Sequence, residues 1–132
     1  MSDSIAAAGG VRTILRSEGA FLCAAALAAY TQTSGDWRLF ALLFLTPDLS
    51  FIAFLFGPRA GAFAYNAMHS TIGPLTLGAA ALVLHQPLAL SVALIWIAHV
   101  GFDRALGYGL KYASGFANTH LDRIGRRATV PA

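Results

Sequence analysis

Polar residues divide this chain into four long apolar stretches, at about 14–31, 37–56, 60–84 and 88–108. A helix needs roughly 20 apolar residues to cross the hydrocarbon of a bilayer, so each stretch predicts one membrane-spanning helix. Thr33-Ser34-Gly35-Asp36 reads as a polar turn in which Ser34 or Asp36 can cap the second helix. Gly57-Pro58-Arg59 and His85-Gln86-Pro87 read as tight turns. Their prolines suit a first helical turn, where a missing N–H costs nothing. Connections this short make neighbouring helices antiparallel. Two further prolines fall inside stretches. Pro47 interrupts the second helix and frees the carbonyl of Leu43, and Pro74 interrupts the third and frees that of Ser70. The expected fold is all-α: one integral membrane domain, a four-helix bundle over residues 1–132, with a polar tail from about 113.

Composition agrees. The 132 residues are 57% hydrophobic and 11% charged, with a mean hydropathy of +0.63. Soluble domains carry about 25% charged residues, so this chain has too few to coat itself for water. The net charge of +3 does not point to nucleic acid, because the basic residues sit at the edges of apolar segments, where lipid headgroups lie. With four crossings, the N-terminus, the second loop and the C-terminus share a side that carries Arg12, Arg16, Arg59, Arg104, Lys111, Arg123, Arg126 and Arg127. The opposite side carries Arg38 alone. The positive-inside rule then places both termini in the cytoplasm of an inner-membrane protein. A cleaved signal peptide is the competing reading of the first stretch. Against it, the apolar core starts late, after Glu18, and the later stretches need a partner helix. Tyr30, Trp37, Tyr108 and Tyr112 lie near helix ends, where aromatic rings favour the interface. Cys23 is the sole cysteine, which excludes a disulfide framework within the chain.

The chemistry lies in residues that a membrane core disfavours: Glu18, Asp48, His69, His99, Asp103 and Arg104, accompanied by Asn66, Ser50 and Ser70. At 1.5 Å per helical residue, Asp48 and His69 both sit roughly 15 Å above the Pro58 turn, and His99 roughly 13 Å above Tyr108. Asp103 is one turn below His99, and Glu18 is similarly deep in the first helix. His99 and Asp103 share a face at i, i+4, as do Asn66, His69 and Ser70. Four helices would thus bring acids and imidazoles to one depth. Asp48, His69, His99 and Asp103 form a candidate donor set for a divalent transition metal, and also suit a proton relay. Arg104 and Lys111 are the candidate anion-binding residues. A packing network is the plainer alternative, since polar contacts between membrane helices average about 0.6 kcal/mol. His85 reads as interfacial, His120 has no assigned role, and Gly57 with Gly61 reads as a small-residue packing pair. No nucleophile elbow, phosphate-binding loop or dinucleotide fingerprint is present.

Thr46-Pro47-Asp48-Leu49-Ser50, Gly57-Pro58-Arg59, Tyr65-Asn66-Ala67-Met68-His69 and the run from His99 to Tyr112 resemble a bacterial membrane family known as domain of unknown function number 4260. The resemblance covers about Leu15 to Leu121. It implies a four-helix membrane protein and no established activity. Pro47-Asp48-Leu49-Ser50 and His69-Ser70 also resemble elements of membrane-bound metal-dependent hydrolases that carry Pro-Asp-x-Asp and a later His-Ser. Ser50 stands where that pattern has a second aspartate, and the further histidines of that pattern are missing here. Three functional classes follow. One is a metal-dependent hydrolase of a lipid-linked substrate. The second is a proton, ion or cofactor-binding module in a homo-oligomer. The third is an accessory subunit of a larger membrane complex.

Overall fold

Each apolar stretch becomes one rod of a four-rod packing, and each internal proline breaks its rod. The computed structural model describes residues 9–110, with two short strands, β1 (Asn118–Thr119) and β2 (Asp122–Arg123), paired antiparallel. The first rod is α1 (Gly9–Thr31), which begins about five residues before the expected start. The second is α2 (Trp37–Leu43) followed by a 3₁₀ helix (Thr46–Phe56). The third is α3 (Pro58–His69) and α4 (Ile72–Val83), and the fourth is α5 (Pro87–Leu106). The rest of the polar tail, with Lys111, Tyr112 and His120, lies outside the described residues.

The breaks fall four residues before the prolines. A proline ring collides with the carbonyl four residues back and offers it no N–H. α2 ends at Leu43, four before Pro47, and the backbone turns extended at Ser70, four before Pro74. The third stretch is therefore two helices of 12 residues rather than one of membrane length. The 11-residue 3₁₀ helix is unusual, because runs beyond three or four residues are uncommon. Among the described residues, Trp37–Phe56 and Pro87–Leu106 are long and apolar enough to cross a membrane.

α5 is the centre of the packing. It meets α1 along most of its length, and α4 and α2 elsewhere, while α3 lies against the 3₁₀ helix. The α1–α5 crossing depends on two glycines. A Cβ on Gly101 would lie 2.6 Å from the Cys23 backbone nitrogen and 2.7 Å from the Gly19 carbonyl oxygen. A Cβ on Gly19 would collide with the Cβ of Arg104. Gly61 likewise admits the ring of Phe54, in keeping with a packing role. The buried side chains mix alanines (Ala62, Ala93, Ala98) with larger apolar residues (Tyr30, Tyr65, Ile95, Val100) and the polar His69, Ser91 and His99. Large apolar residues such as Phe21, Leu42, Leu55, Phe56 and Phe63 face outward.

The turns close as local chemistry dictates. Asp36, rather than Ser34, caps α2, its carboxylate accepting the Arg38 N–H at 2.8 Å. Tyr30, at the end of α1, is buried. Its hydroxyl donates to the Asp36 carbonyl at 2.7 Å, and its ring packs edge-on against Trp37 and Phe40. Gly107 ends α5 in the left-handed conformation, with Tyr108 N–H donating to the Asp103 carbonyl at 2.8 Å. The helix thus stops two residues short of the expected 108. His85 performs the same turn after α4 at φ 52° without glycine's freedom, which costs about 1 kcal/mol. His85→Gly is expected to raise the melting temperature by a few degrees, on the order of 4–8 °C per kcal/mol for a small domain. An unchanged or lower midpoint in detergent would refute that strain.

Candidate metal centre

Three segments deliver four donor residues to one point. Asp48 stands in the first turn of the 3₁₀ helix, directly after Pro47. His69 is the last residue of α3, where Pro74 forces the chain to break. His99 and Asp103 come from one face of α5. His69 Nε2 lies 3.2 Å from Asp48 Oδ1, 3.3 Å from Asp103 Oδ2 and 3.2 Å from His99 Nε2. His99 Nε2 lies 3.3 Å from Asp48 Oδ1 and 3.2 Å from Asp103 Oδ2. All four donor atoms fall within 4.8 Å of one another. The imidazoles are buried, His69 at 2% and His99 at 1% exposure. The carboxylates are more open, 16% for the Asp103 side chain and 36% for that of Asp48.

The donor contacts are longer than charge-assisted N–H···O bonds, which run about 2.7–2.9 Å, yet still within hydrogen-bond reach. Four donor atoms this close together could hold one metal ion. Charge agrees as well. With both imidazoles neutral the two carboxylates would leave a charge of −2, which one divalent cation would cancel. Two imidazolium rings with their Nε2 atoms 3.2 Å apart would instead repel.

The surrounding residues orient the donors. His69 Nδ1 lies 2.9 Å from the Tyr65 carbonyl oxygen, which can only accept, so Nδ1 donates there and Nε2 is the nitrogen turned to the other donors. Backbone anchoring of the remote ring nitrogen is the usual support for a metal-bound histidine. The His69 ring also stacks on Tyr65, with centroids 3.8 Å apart and planes at 10°. The His99 ring is held edge-on by Phe44. Its buried Nδ1 completes no hydrogen bond, although the Phe44 backbone approaches it. The carbonyls orphaned at the end of α3 are met from α5. Trp96 Nε1–H donates to Met68 at 2.6 Å, and Arg104 donates to His69 at 3.3 Å.

The fates of the expected site residues differ. Asp48, His69, His99 and Asp103 converge. Arg104 does not join the donor atoms; it holds the end of α3 beside them. Asn66 accepts the Ser70 N–H through its carbonyl and so closes the last turn of α3. Glu18 is exposed on α1 and is not one of the converging group. The reason is rotation: Gly19 is the residue turned onto α5, and its neighbour points about 100° away. Lys111 lies outside the described residues. Sequence reasoning gave no role to Trp96 or to the Tyr65 carbonyl. Neither bears a titratable group that would mark it, and only the break after His69 creates the need for them.

Neither a curated protein nor a solved structure matches the chain. The family model described as domain of unknown function (DUF4260) matches residues 12–124. Asp48, His69, His99 and Asp103 all fall within that span, and the chain belongs to the DUF4260 family.

Proposed function

We propose that this protein is a membrane-embedded metalloprotein that binds one divalent transition metal through Asp48, His69, His99 and Asp103. The observation that carries the reading is the set of five donor–donor distances at 3.2–3.3 Å around two buried imidazoles. Two nitrogen and two oxygen donors suit zinc, iron or manganese. The many large apolar residues left on the outside, among them Phe21, Leu42, Leu55, Phe56 and Phe63, support a lipid environment. In that environment the basic residues put both termini in the cytoplasm of an inner membrane.

Asp48 is the donor that gives the site chemistry. Its side chain is the most exposed of the four and sits on a 3₁₀ helix rather than an α-helix. A carboxylate that swings aside would open one position for water, and a divalent metal lowers the pKa of bound water toward about 7. Hydrolysis of a lipid-linked substrate is the reaction this arrangement suits. Arg104, already anchored beside His69, is placed to attract an anionic group.

Elemental analysis of untagged protein in mild detergent tests the reading. About one equivalent of metal is expected in the native protein, and none in the Asp48→Ala/His69→Ala/His99→Ala variant. No metal in either, with the variant merely less stable, would reduce the cluster to a packing or proton network.

A further inference from the structure

An apolar groove of about 190 Å³ lies between three of the rods, lined by Leu43, Pro47, Met68, Leu77, Val92 and Trp96 among others. Its surface is almost wholly apolar. Water would find no partners there, whereas apolar cavities near 150 Å³ take up hydrocarbon ligands. The groove exists because the rods break. Pro47 and Met68 stand at the two interruptions, and a straight pair of helices would close the gap. Two of its walls, Leu43 with Pro47 and Val92 with Trp96, belong to the two stretches long and apolar enough to cross a membrane. It therefore sits at hydrocarbon depth if those stretches span.

Its relation to the donor set gives it meaning. Pro47 directly precedes Asp48, and Met68 directly precedes His69. Trp96 lies three residues before His99, on the same face of α5. Trp96 is also tied to the Met68 carbonyl at 2.6 Å, so the groove wall and the end of α3 form one unit. The four donors do not line the groove themselves but follow its wall residues in the chain, so a hydrocarbon chain in the groove would have its polar end within reach of them only at the end of the groove nearest Pro47 and Met68.

We infer that the groove binds the hydrocarbon tail of an amphiphile whose carboxylate, phosphate or ester head meets the Asp48/His69/His99/Asp103 cluster. The tail site stands on the groove alone, while the placement of the head rests on the metal reading. This names the substrate class: a tail-bearing lipid rather than a water-soluble ester or phosphate.

Tryptophan fluorescence tests it on the full chain in detergent. Trp37→Phe leaves Trp96 as the single reporter. Titration with 9,10-dibromostearate at fixed detergent is expected to quench Trp96 saturably, near one equivalent. Val92→Phe, and independently Leu43→Phe on a different rod, should each weaken that binding about tenfold or more, as filling a packed site costs roughly 1–3 kcal/mol. Circular dichroism and gel filtration would show that each variant is folded. Quenching that rises linearly with bromolipid fraction and is the same in both variants would mean bulk solvation only, and would overturn the groove. For the head, zinc-loaded protein should prefer dibromostearate to the matching brominated alcohol, and His69→Ala/His99→Ala should erase the preference. Equal binding of acid and alcohol would overturn the head placement. Saturable quenching in protein that takes up no zinc would leave the groove standing, and the failure to take up zinc would remove the metal reading and the head placement with it.

Discussion

His69→Ala is expected to strip the metal from this protein, lowering affinity by more than about 100-fold. Even residues that merely hold a metal ligand cost 10–100-fold when removed, so loss of a ligand should exceed that range. His69 touches every other donor, at 3.2–3.3 Å, so its loss opens the centre most. His99→Ala should behave alike, because its Nε2 makes the same three contacts. Asp48→Ala should retain some metal, since the three remaining donors still surround it and water can fill the exposed corner. Glu18→Ala should bind metal like the native protein, as Glu18 stands outside the group. A ligand that binds only the folded state adds stability, about 4 kcal/mol at a thousand times its dissociation constant. Chelation should therefore lower the melting temperature of the native protein and of Glu18→Ala, and leave that of His69→Ala unmoved. Elemental analysis and thermal unfolding with and without chelator read both effects. A chelator-insensitive native protein, or a His69→Ala variant with full metal, would sink the assignment.

Gly101→Ala is expected to destabilise the fold by roughly 3 kcal/mol, the upper part of the range for overpacking a close contact. At an exposed helical position the same change would gain about 1 kcal/mol, because alanine is the better helix former. The sign reverses here because the new methyl would meet backbone rather than flexible side chain. Its nearest neighbours, the Cys23 nitrogen and the Gly19 oxygen, belong to a hydrogen-bonded helix that must shift as a body. α1 would lose its seat on α5, and with it the packing of Leu22, Cys23 and Leu27 around Ala26 and Ala98. Gly78→Ala is the control. Its methyl would meet only the Ala93 methyl, at 3.5 Å, an ordinary contact. It should be neutral or mildly stabilising. The expected drop for Gly101→Ala is on the order of 10 °C or more in the melting temperature. Equal midpoints for the two variants would show that the α1–α5 crossing is not tight.

A second consequence follows from the same crossing. In the proposed lipid environment no hydrophobic force presses helices together, so close backbone approach and directional contacts would do so. The glycines draw α1 onto α5, while Trp96 and Arg104 fasten α5 to the end of α3. Both devices converge on the stretch of α5 that carries His99 and Asp103. The donor set thus lies where the packing is most constrained, which favours a fixed coordination geometry.

Most rod boundaries, both breaks and the polar residues set within apolar stretches are legible in the amino-acid order. Those are local properties. Pro47 and Pro74 act on the carbonyls four residues back whatever the tertiary fold, and the breaks at Leu43 and Ser70 follow. The depth of Asp48, His69, His99 and Asp103 was legible because helical rise converts residue number into height. Rotation about each rod was not. Height alone grouped Glu18 with the four donors, and only the packing of Gly19 onto α5 turned it outward. Nor could spacing show that Tyr30 is buried against Trp37 and Phe40. Which face a helix turns to its neighbour is decided by side chains far apart in the chain meeting at close range. The tertiary structure alone settles that, and with it whether four polar residues at one height surround a single point.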